Sequence, residues 1–226
     1  MRRIDVRLAS MIWLLLASTA VAAPAQVFVD QGNIKYIGLD GVSHSLTNGG
    51  GYREPVLGPD DRTVIFIHDE GAAQNAEDLR LGSLWIGDGP TESTQRLATP
   101  HHSEDPSQNF DALSHPAVSP DLRFVFVCAA AWATDSAIHR IEIATGREQF
   151  VAAGNLISVV RTGPYRGDLL LERHTYNPAK RDFNYPIYMA EPNGKIVLRI
   201  PETGASAAQN QQRLAGWLKA HDWQAQ

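Results

Sequence analysis

Between residues 26 and 200 the chain repeatedly switches to short stretches in which apolar and polar positions alternate, or apolar positions run unbroken. These stretches lie at 26–29, 34–37, 63–68, 84–87, 124–128, 138–143, 156–160, 168–172, 187–190 and 195–200. A period of two places successive side chains on opposite faces of a strand, so each stretch predicts a β-strand. Residues that reverse the chain separate them: Asp40-Gly41, Pro59-Asp60-Asp61, Asp88-Gly89, Pro120-Asp121, Thr145-Gly146, Pro164-Tyr165-Arg166-Gly167 and Asn193-Gly194. Many short strands with such punctuation predict an all-β fold. The period changes once. Between Ala205 and Trp223, Leu214, Trp217, Leu218 and His221 fall on one stripe at helical spacing, with Trp223 close by, which predicts a C-terminal helix in 205–226.

The strands form a repeat. Ile34–Ile37 leads through Asp40-Gly41 to Ser45-Leu46-Thr47; Leu84-Trp85-Ile86 leads through Asp88-Gly89 to Gln95-Arg96-Leu97-Ala98. Ile138-His139-Arg140-Ile141 and Ile187-Tyr188-Met189 continue in the same way. Aligned on Tyr36, Trp85, His139 and Tyr188, the copies are 49, 54 and 49 residues apart, which suits one four-stranded antiparallel sheet per copy. A second sentence is written twice, 61 residues apart: EPVLGPDDRTVIFIHDE from Glu54 and HPAVSPDLRFVFVCAA from His115. Its Pro59-Asp60 and Pro120-Asp121 suit a turn, because Pro presets φ and Asp can bond the backbone two residues on.

PVLGPDDRTVIFIHDEG, followed by SLWIGDG and QRLA, resembles the repeat of TolB-like, or PD40, β-propellers, a WD40-like family; HPAVSPDLRFVFV resembles it too. The first copy has Gly58 and Asp61 where that repeat has Ser and Gly, and the last copy carries Gly163-Pro164-Tyr165-Arg166-Gly167 at the turn. The resemblance covers most of residues 26–200. It implies an array of about four four-stranded blades, in a family whose typical members have six or more. It also implies protein–protein interaction at a bacterial cell envelope. Fifteen strands are visible: three in the first blade (26–29, 34–37, 44–47) and four in each of the others. The first blade therefore lacks a strand, and the helix is expected to pack on the blades or cover an open edge, with a partner-docking role as the alternative.

The N-terminus reads differently. Arg2, Arg3 and Arg7 precede an apolar run, 11–21, and then Ala20-Val21-Ala22, the pattern of a secretory signal peptide cleaved after Ala22. The expected domains are thus a signal peptide at 1–22, a propeller domain at 23–204 and a helix at 205–226, in a periplasmic or secreted product. Removing 1–22 takes away three arginines and one aspartate, so the formal net charge moves from −5 to −7. A mildly acidic chain gives no electrostatic reason to bind nucleic acid, and no later apolar run is long enough for membrane insertion. Cys128 is the lone cysteine and lies on the same strand face as Phe124 and Phe126, where a buried small hydrophobe is expected.

Candidate chemistry is sparse. There is no G-x-S-x-G, no H-E-x-x-H and no cysteine pair, so neither a hydrolase elbow nor a metal or other cofactor is expected. His101, His102 and Glu104 lie in a polar insertion, 99–112; His68-Asp69-Glu70 opens a polar connection running to Gly82. The first reads as a solvated loop projecting from one rim, where His101, His102 and Glu104 are candidate ligand or partner contacts, with a metal site as the alternative; the second reads as a loop, with acid–base chemistry as the alternative. The stretch from Arg173 through His174, Tyr176 and Arg181 to Tyr185 mixes arginine, aromatics and amides, the composition of a recognition loop or of a long exposed hairpin connection. The resulting expectation is a binding module with an envelope protein partner. A hydrolase or lyase working at the propeller's central mouth and a periplasmic inhibitor or immunity protein are the alternatives.

Overall fold

The structure, a computed structural model, describes residues 23–73, 76–179, 181–201, 203 and 206–225. The expected signal peptide lies outside them.

The chain forms a β-propeller-like array of four successive antiparallel sheets. Blade I has three strands, β1 (Gln26–Asp30), β2 (Asn33–Ile37) and β3 (Ser43–Ser45), in that order. Blade II comprises β4 (Tyr52–Leu57), β5 (Thr63–Ala73), β6 (Ala76–Asp88) and β7 (Ser93–Ala98). Blade III comprises β8 (Ser114–Val118), β9 (Phe124–Ala129), β10 (Ala137–Glu142) and β11 (Glu148–Ala153). Blade IV comprises β12 (Asn155–Val159), β13 (Leu169–Glu172), β16 (Ile187–Ala190) and β17 (Ile196–Arg199), and a separate hairpin, β14 (Thr175–Asn177) and β15 (Asp182–Asn184), interrupts it. The helix α1 spans Ala207–Ala220. The predicted strand count of the blades holds; the extra pair is the hairpin.

Strand alternation explains the stacking. Within one strand, even and odd residues serve different neighbours. Val64 and Phe66 pack with Ile34 and Tyr36 of blade I, whereas Ile65 and Ile67 pack with Val125 and Val127 of blade III. In β9 the other register, Phe126 and Cys128, meets Leu156, Leu169 and Leu171 of blade IV. Leu170, Ile187 and Met189 then face Leu214, with Trp217, Leu218 and Trp223 packed alongside. The helix stripe therefore covers the last blade's free face, the face that another blade would cover in a longer array. Ser206 caps it through its side chain to the Gln209 amide. Gly163 is required here, because a Cβ on it would stand 2.5 Å from the Trp223 indole.

The two Pro-Asp turns are built alike. Asp60 Oδ1 accepts from the amides of Arg62 and Thr63, at 3.3 and 2.9 Å. Asp121 Oδ1 accepts from the Arg123 amide at 3.1 Å and from Ser119 Oγ at 2.6 Å. Asp61 and Leu122, which follow them, take left-handed φ of 55° and 59°, where the family repeat has glycine.

One alignment is off by a residue. Thr47 Oγ1 accepts from the Ile34 amide at 2.8 Å, and Thr203 Oγ1 accepts from the Ile187 amide at 3.0 Å. Ile34 is thus the counterpart of Ile187, and Lys35, not Tyr36, stands with Trp85, His139 and Tyr188. Trp85, His139 and Tyr188 point toward the preceding blade. Among the described residues no blade precedes blade I; there a lysine occupies the position and the aromatic sits one residue later, facing blade II. A shift of one residue exchanges the two faces of a strand, and aligning aromatics concealed it.

A further expectation changes. The connection 71–82 is not a loop: β5 and β6 extend into it as one long hairpin. The stretch 173–185 is a hairpin connection, as one of its two expected forms had it, and its strands pair Tyr176 with Phe183. The insertion 99–112 is irregular except for a 3-10 turn, Pro106–Gln108, and a bridge between His101 and Phe110.

Candidate functional site

In each four-stranded blade the link between its second and third strands and the link to the next blade leave from the same rim. His101, His102, Glu104 and the candidates from Arg173 to Tyr185 lie in such links, whereas His68, Asp69 and Glu70 lie on β5, and hydrogen bonds tie the links together. The Ala130 amide donates to the Asp111 carbonyl and Asn109 Nδ2 to the Ala130 carbonyl, at 3.3 and 2.7 Å. The His174 amide and Nδ1 meet Asp135 Oδ1 at 3.0 and 2.8 Å, and Arg173 Nε donates to the Ala153 carbonyl at 2.9 Å.

His101 and His102 do not act together. His102 Nδ1 lies 3.1 Å from Asp111 Oδ2. His101 stacks on Phe110 and places Nε2 3.6 Å from Glu148 Oε2. The other Glu148 oxygen bonds His139 Nδ1 at 2.7 Å. His139 is fully buried between Phe110 and Phe150, with Nε2 unpartnered. Glu104 is exposed. Sequence reasoning missed His139 and Glu148 as partners of His101, because their side chains meet only through the stacking of blades II and III. Among the described residues no group of three His, Cys, Asp or Glu is placed to hold a metal ion.

The candidates from Arg173 onward divide into anchors and exposed groups. Arg173 lies over the Tyr188 ring at 6.0 Å, and His174 meets the Tyr185 ring edge-on at 4.6 Å. Asn210 of the helix donates to Glu172 and to the Tyr185 carbonyl, at 3.0 and 2.5 Å, pinning the hairpin's base. Beyond that base Tyr176 and Phe183 remain 58% and 46% exposed with their rings 5.5 Å apart, and Arg181 is exposed with φ 53°. Trp132, in the adjacent link of blade III, is also exposed and contacts Phe150 at 6.5 Å.

Other polar groups are internally committed. Arg53 donates Nε to Asp69 at 2.7 Å and Nη2 to the Leu113 carbonyl at 2.7 Å, and pairs with Glu54. Glu54 Oε2 accepts from the His115 amide at 2.6 Å. Glu54 and His115, each before a proline, have φ of 48° and 52° and wall a groove of about 300 Å³ with Ile157 and Ser158. Glu70 accepts from Ser83 Oγ at 2.6 Å, and that bond, with Arg96 and His68 nearby, holds its carboxyl below the usual range against its partial burial. Burial pushes the Cys128 thiol up to about 11, so this sulfur is packing and not a nucleophile.

No family model matches the chain, and no curated protein matches it by sequence. Among solved structures, dipeptidyl peptidase 4 of Porphyromonas gingivalis aligns over 79% of this chain and 31% of its own, at 11% identity and a TM-score of 0.54. The tricorn protease aligns over 80% of this chain and 16% of its own, at 13% identity and a TM-score of 0.53. TolB of Acinetobacter baumannii aligns over 76% of this chain and 52% of its own, at 12% identity, with a TM-score of 0.32 that supports no argument. At such identities the likeness is one of fold. The chain spans less than a third of the length of the two proteases.

Proposed function

We propose that this chain is a secreted or periplasmic binding module that holds a protein partner of the cell envelope on its link-bearing rim. The observation that carries the reading is the hairpin of β14 and β15. It belongs to no blade sheet, yet it is anchored at its base and presents a cross-strand aromatic pair to solvent. An exposed aromatic pair contributes little to folding, whereas Tyr and Phe lose few rotamers when they dock and bury large areas. Arg181 beside them and Trp132 on the neighbouring link extend the same surface. The envelope setting rests on the N-terminal sequence pattern; among the described residues no helix is long and apolar enough to cross a membrane.

The test is capture from envelope extract by the protein and by a Tyr176→Ala/Phe183→Ala variant. The variant is expected to keep its melting temperature within about 2 °C, as surface substitutions do, and to lose the captured protein. Undiminished capture would move the site elsewhere, to the groove at Glu54 and His115 first.

A further inference from the structure

In each four-stranded blade the turn between the first two strands and the turn between the last two leave from the rim opposite the proposed partner surface. On that rim, where the Pro-Asp turn of blade III meets blade IV, lies a pocket of about 230 Å³. Its floor is apolar: Phe126 is buried against blade IV, and Phe124, two residues earlier on the same face of β9, packs beside it. Its walls are Ser119-Pro120-Asp121, Arg166-Gly167 and Pro192.

Three arginines converge here. Arg123 and Arg166 line the pocket, and Arg140 backs it, with its guanidinium 4.7 Å from the Phe124 ring centroid and 3.3 Å from the Pro192 carbonyl. Arg123 lies over the same ring at 5.1 Å. Arg166 donates to the Pro120 carbonyl at 2.8 Å and Arg140 to Gln149 Oε1 at 2.6 Å. All these acceptors are neutral. Among the described residues none of the three guanidiniums pairs with a carboxylate, although the chain has 25 Asp and Glu against 20 Lys and Arg. The acids of these turns are committed elsewhere. Asp121 Oδ1 holds Ser119 Oγ and the Arg123 amide, Glu142 accepts from Thr145 Oγ1 at 2.7 Å, and Glu191 pairs with Lys195 at 3.1 Å. Burial and the Glu191 charge push the Asp168 carboxyl up to about 6, with no arginine drawing it down.

Blade II supplies the comparison. Arg62 and Arg123 hold the same place after their Pro-Asp turns, and the residues that follow them, Thr63 and Phe124, face Asp88 and Glu142 in register. Arg62 Nε bonds Asp88 Oδ2 at 2.5 Å, which neutralises that turn. Arg123 does not reach Glu142 and lies on Phe124 instead. Arg140 stands where blade II has Ile86. A guanidinium stacked on a ring is held by its face, and its in-plane N–H groups stay available as a fork for an oxyanion. Two guanidiniums on one ring also repel each other, and a bound anion replaces that repulsion with attraction.

The geometry points to a binding site for a small organic anion, held through a carboxylate or phosphate group by Arg123, Arg140 and Arg166, with its apolar part on Phe124. Three guanidiniums against the one carboxylate of Asp121 favour a ligand with two negative charges. The volume lies below the range of about 300–1,000 Å³ that drug-sized ligands fill, so the ligand is small.

Calorimetric titration of the full chain with inorganic phosphate and with succinate, at an ionic strength fixed with sodium chloride, tests this. At least one of the two should bind saturably at one site, and the tighter one identifies the oxyanion. Arg123→Ala and Arg140→Gln should each weaken that binding about tenfold or more, as loss of a charge-assisted hydrogen bond does. Arg62→Ala makes the same charge change at the equivalent turn and should leave the affinity unaltered. Melting in chloride alone checks that each variant is folded; where Arg140→Gln is not, Arg123→Lys, which keeps the charge and loses the fork, should show the same loss. The Tyr176→Ala/Phe183→Ala variant should bind the anion as the parent does, so failure of the partner surface and failure of this site are told apart. No saturable binding of either anion, or an affinity that falls as much with Arg62→Ala as with Arg123→Ala, overturns the inference.

Discussion

Asp60 and Asp121 show how one residue type does the same work at two places 61 positions apart. Burial works to raise each carboxyl, but hydrogen bonds outweigh it, from Thr63 and Arg62 at Asp60 and from Ser119 and Arg123 at Asp121, and both end below the usual carboxylate range. A depressed carboxyl stabilises the fold when ionised. Its contribution is full above the unfolded-state value, near about pH 4, and is lost as pH falls through the folded-state value. Asp60→Ala and Asp121→Ala are each expected to cost about 0.5–2 kcal/mol at neutral pH, as loss of a local backbone-capping bond does. The difference from the parent protein should shrink between about pH 5 and about pH 2. Denaturant melts at several pH values measure it, and dissimilar costs at the two sites would break their equivalence. At this scale the sequence was informative because the Pro-Asp turn is local. It was silent about His139, because nothing near Ile138 and Arg140 announces that Glu148 will bond it and Phe110 and Phe150 will enclose it.

The elements were legible where their period was strong and misread where polar residues diluted it. The stretch 71–82 looked like a loop because its residues do not alternate cleanly, yet it continues two strands already paired through Phe66 and Trp85. Pairing propagated from a buried start overrides weak local preference. The helix was legible for the opposite reason, since its stripe is long and apolar. Leu214, Trp217, Leu218 and Trp223 cover Val160, Leu170, Ile187, Met189 and Ile200. Burying each large side chain stabilises by roughly 1.5–3 kcal/mol, so removal of residues from Ala205 onward should cost several kcal/mol. It should also cause association through the bared face of blade IV. Thermal melting with light scattering reads both effects. A truncated chain that stays a stable monomer but no longer captures its partner would make the helix a docking element.

The described residues form a row of sheets that pack on their neighbours, and the two ends of that row are finished differently. At one end a helix covers an apolar face. At the other, the outward face of blade I is made of Gln26, Phe28 and Asp30 on β1 with Asn33, Lys35 and Ile37 on β2, a mostly polar surface that needs no cover. The substitution of lysine for the aromatic of the other blades belongs to that end, as terminal units of stacked arrays carry a polar outer face. Stability should then be graded along the row. The middle strands β9 and β13 are buried on both faces, whereas β1 is the most exposed strand of a three-stranded sheet and can open without disturbing blade III. Native-state hydrogen exchange should find the slowest amides at Val125, Phe126, Val127, Leu170 and Leu171. Those of Phe28 and Lys35 should exchange faster by an order of magnitude or more. Uniform protection from β2 to β13 would mean that the four sheets open as one cooperative body, and the additive picture of a row with a weak first member would be wrong.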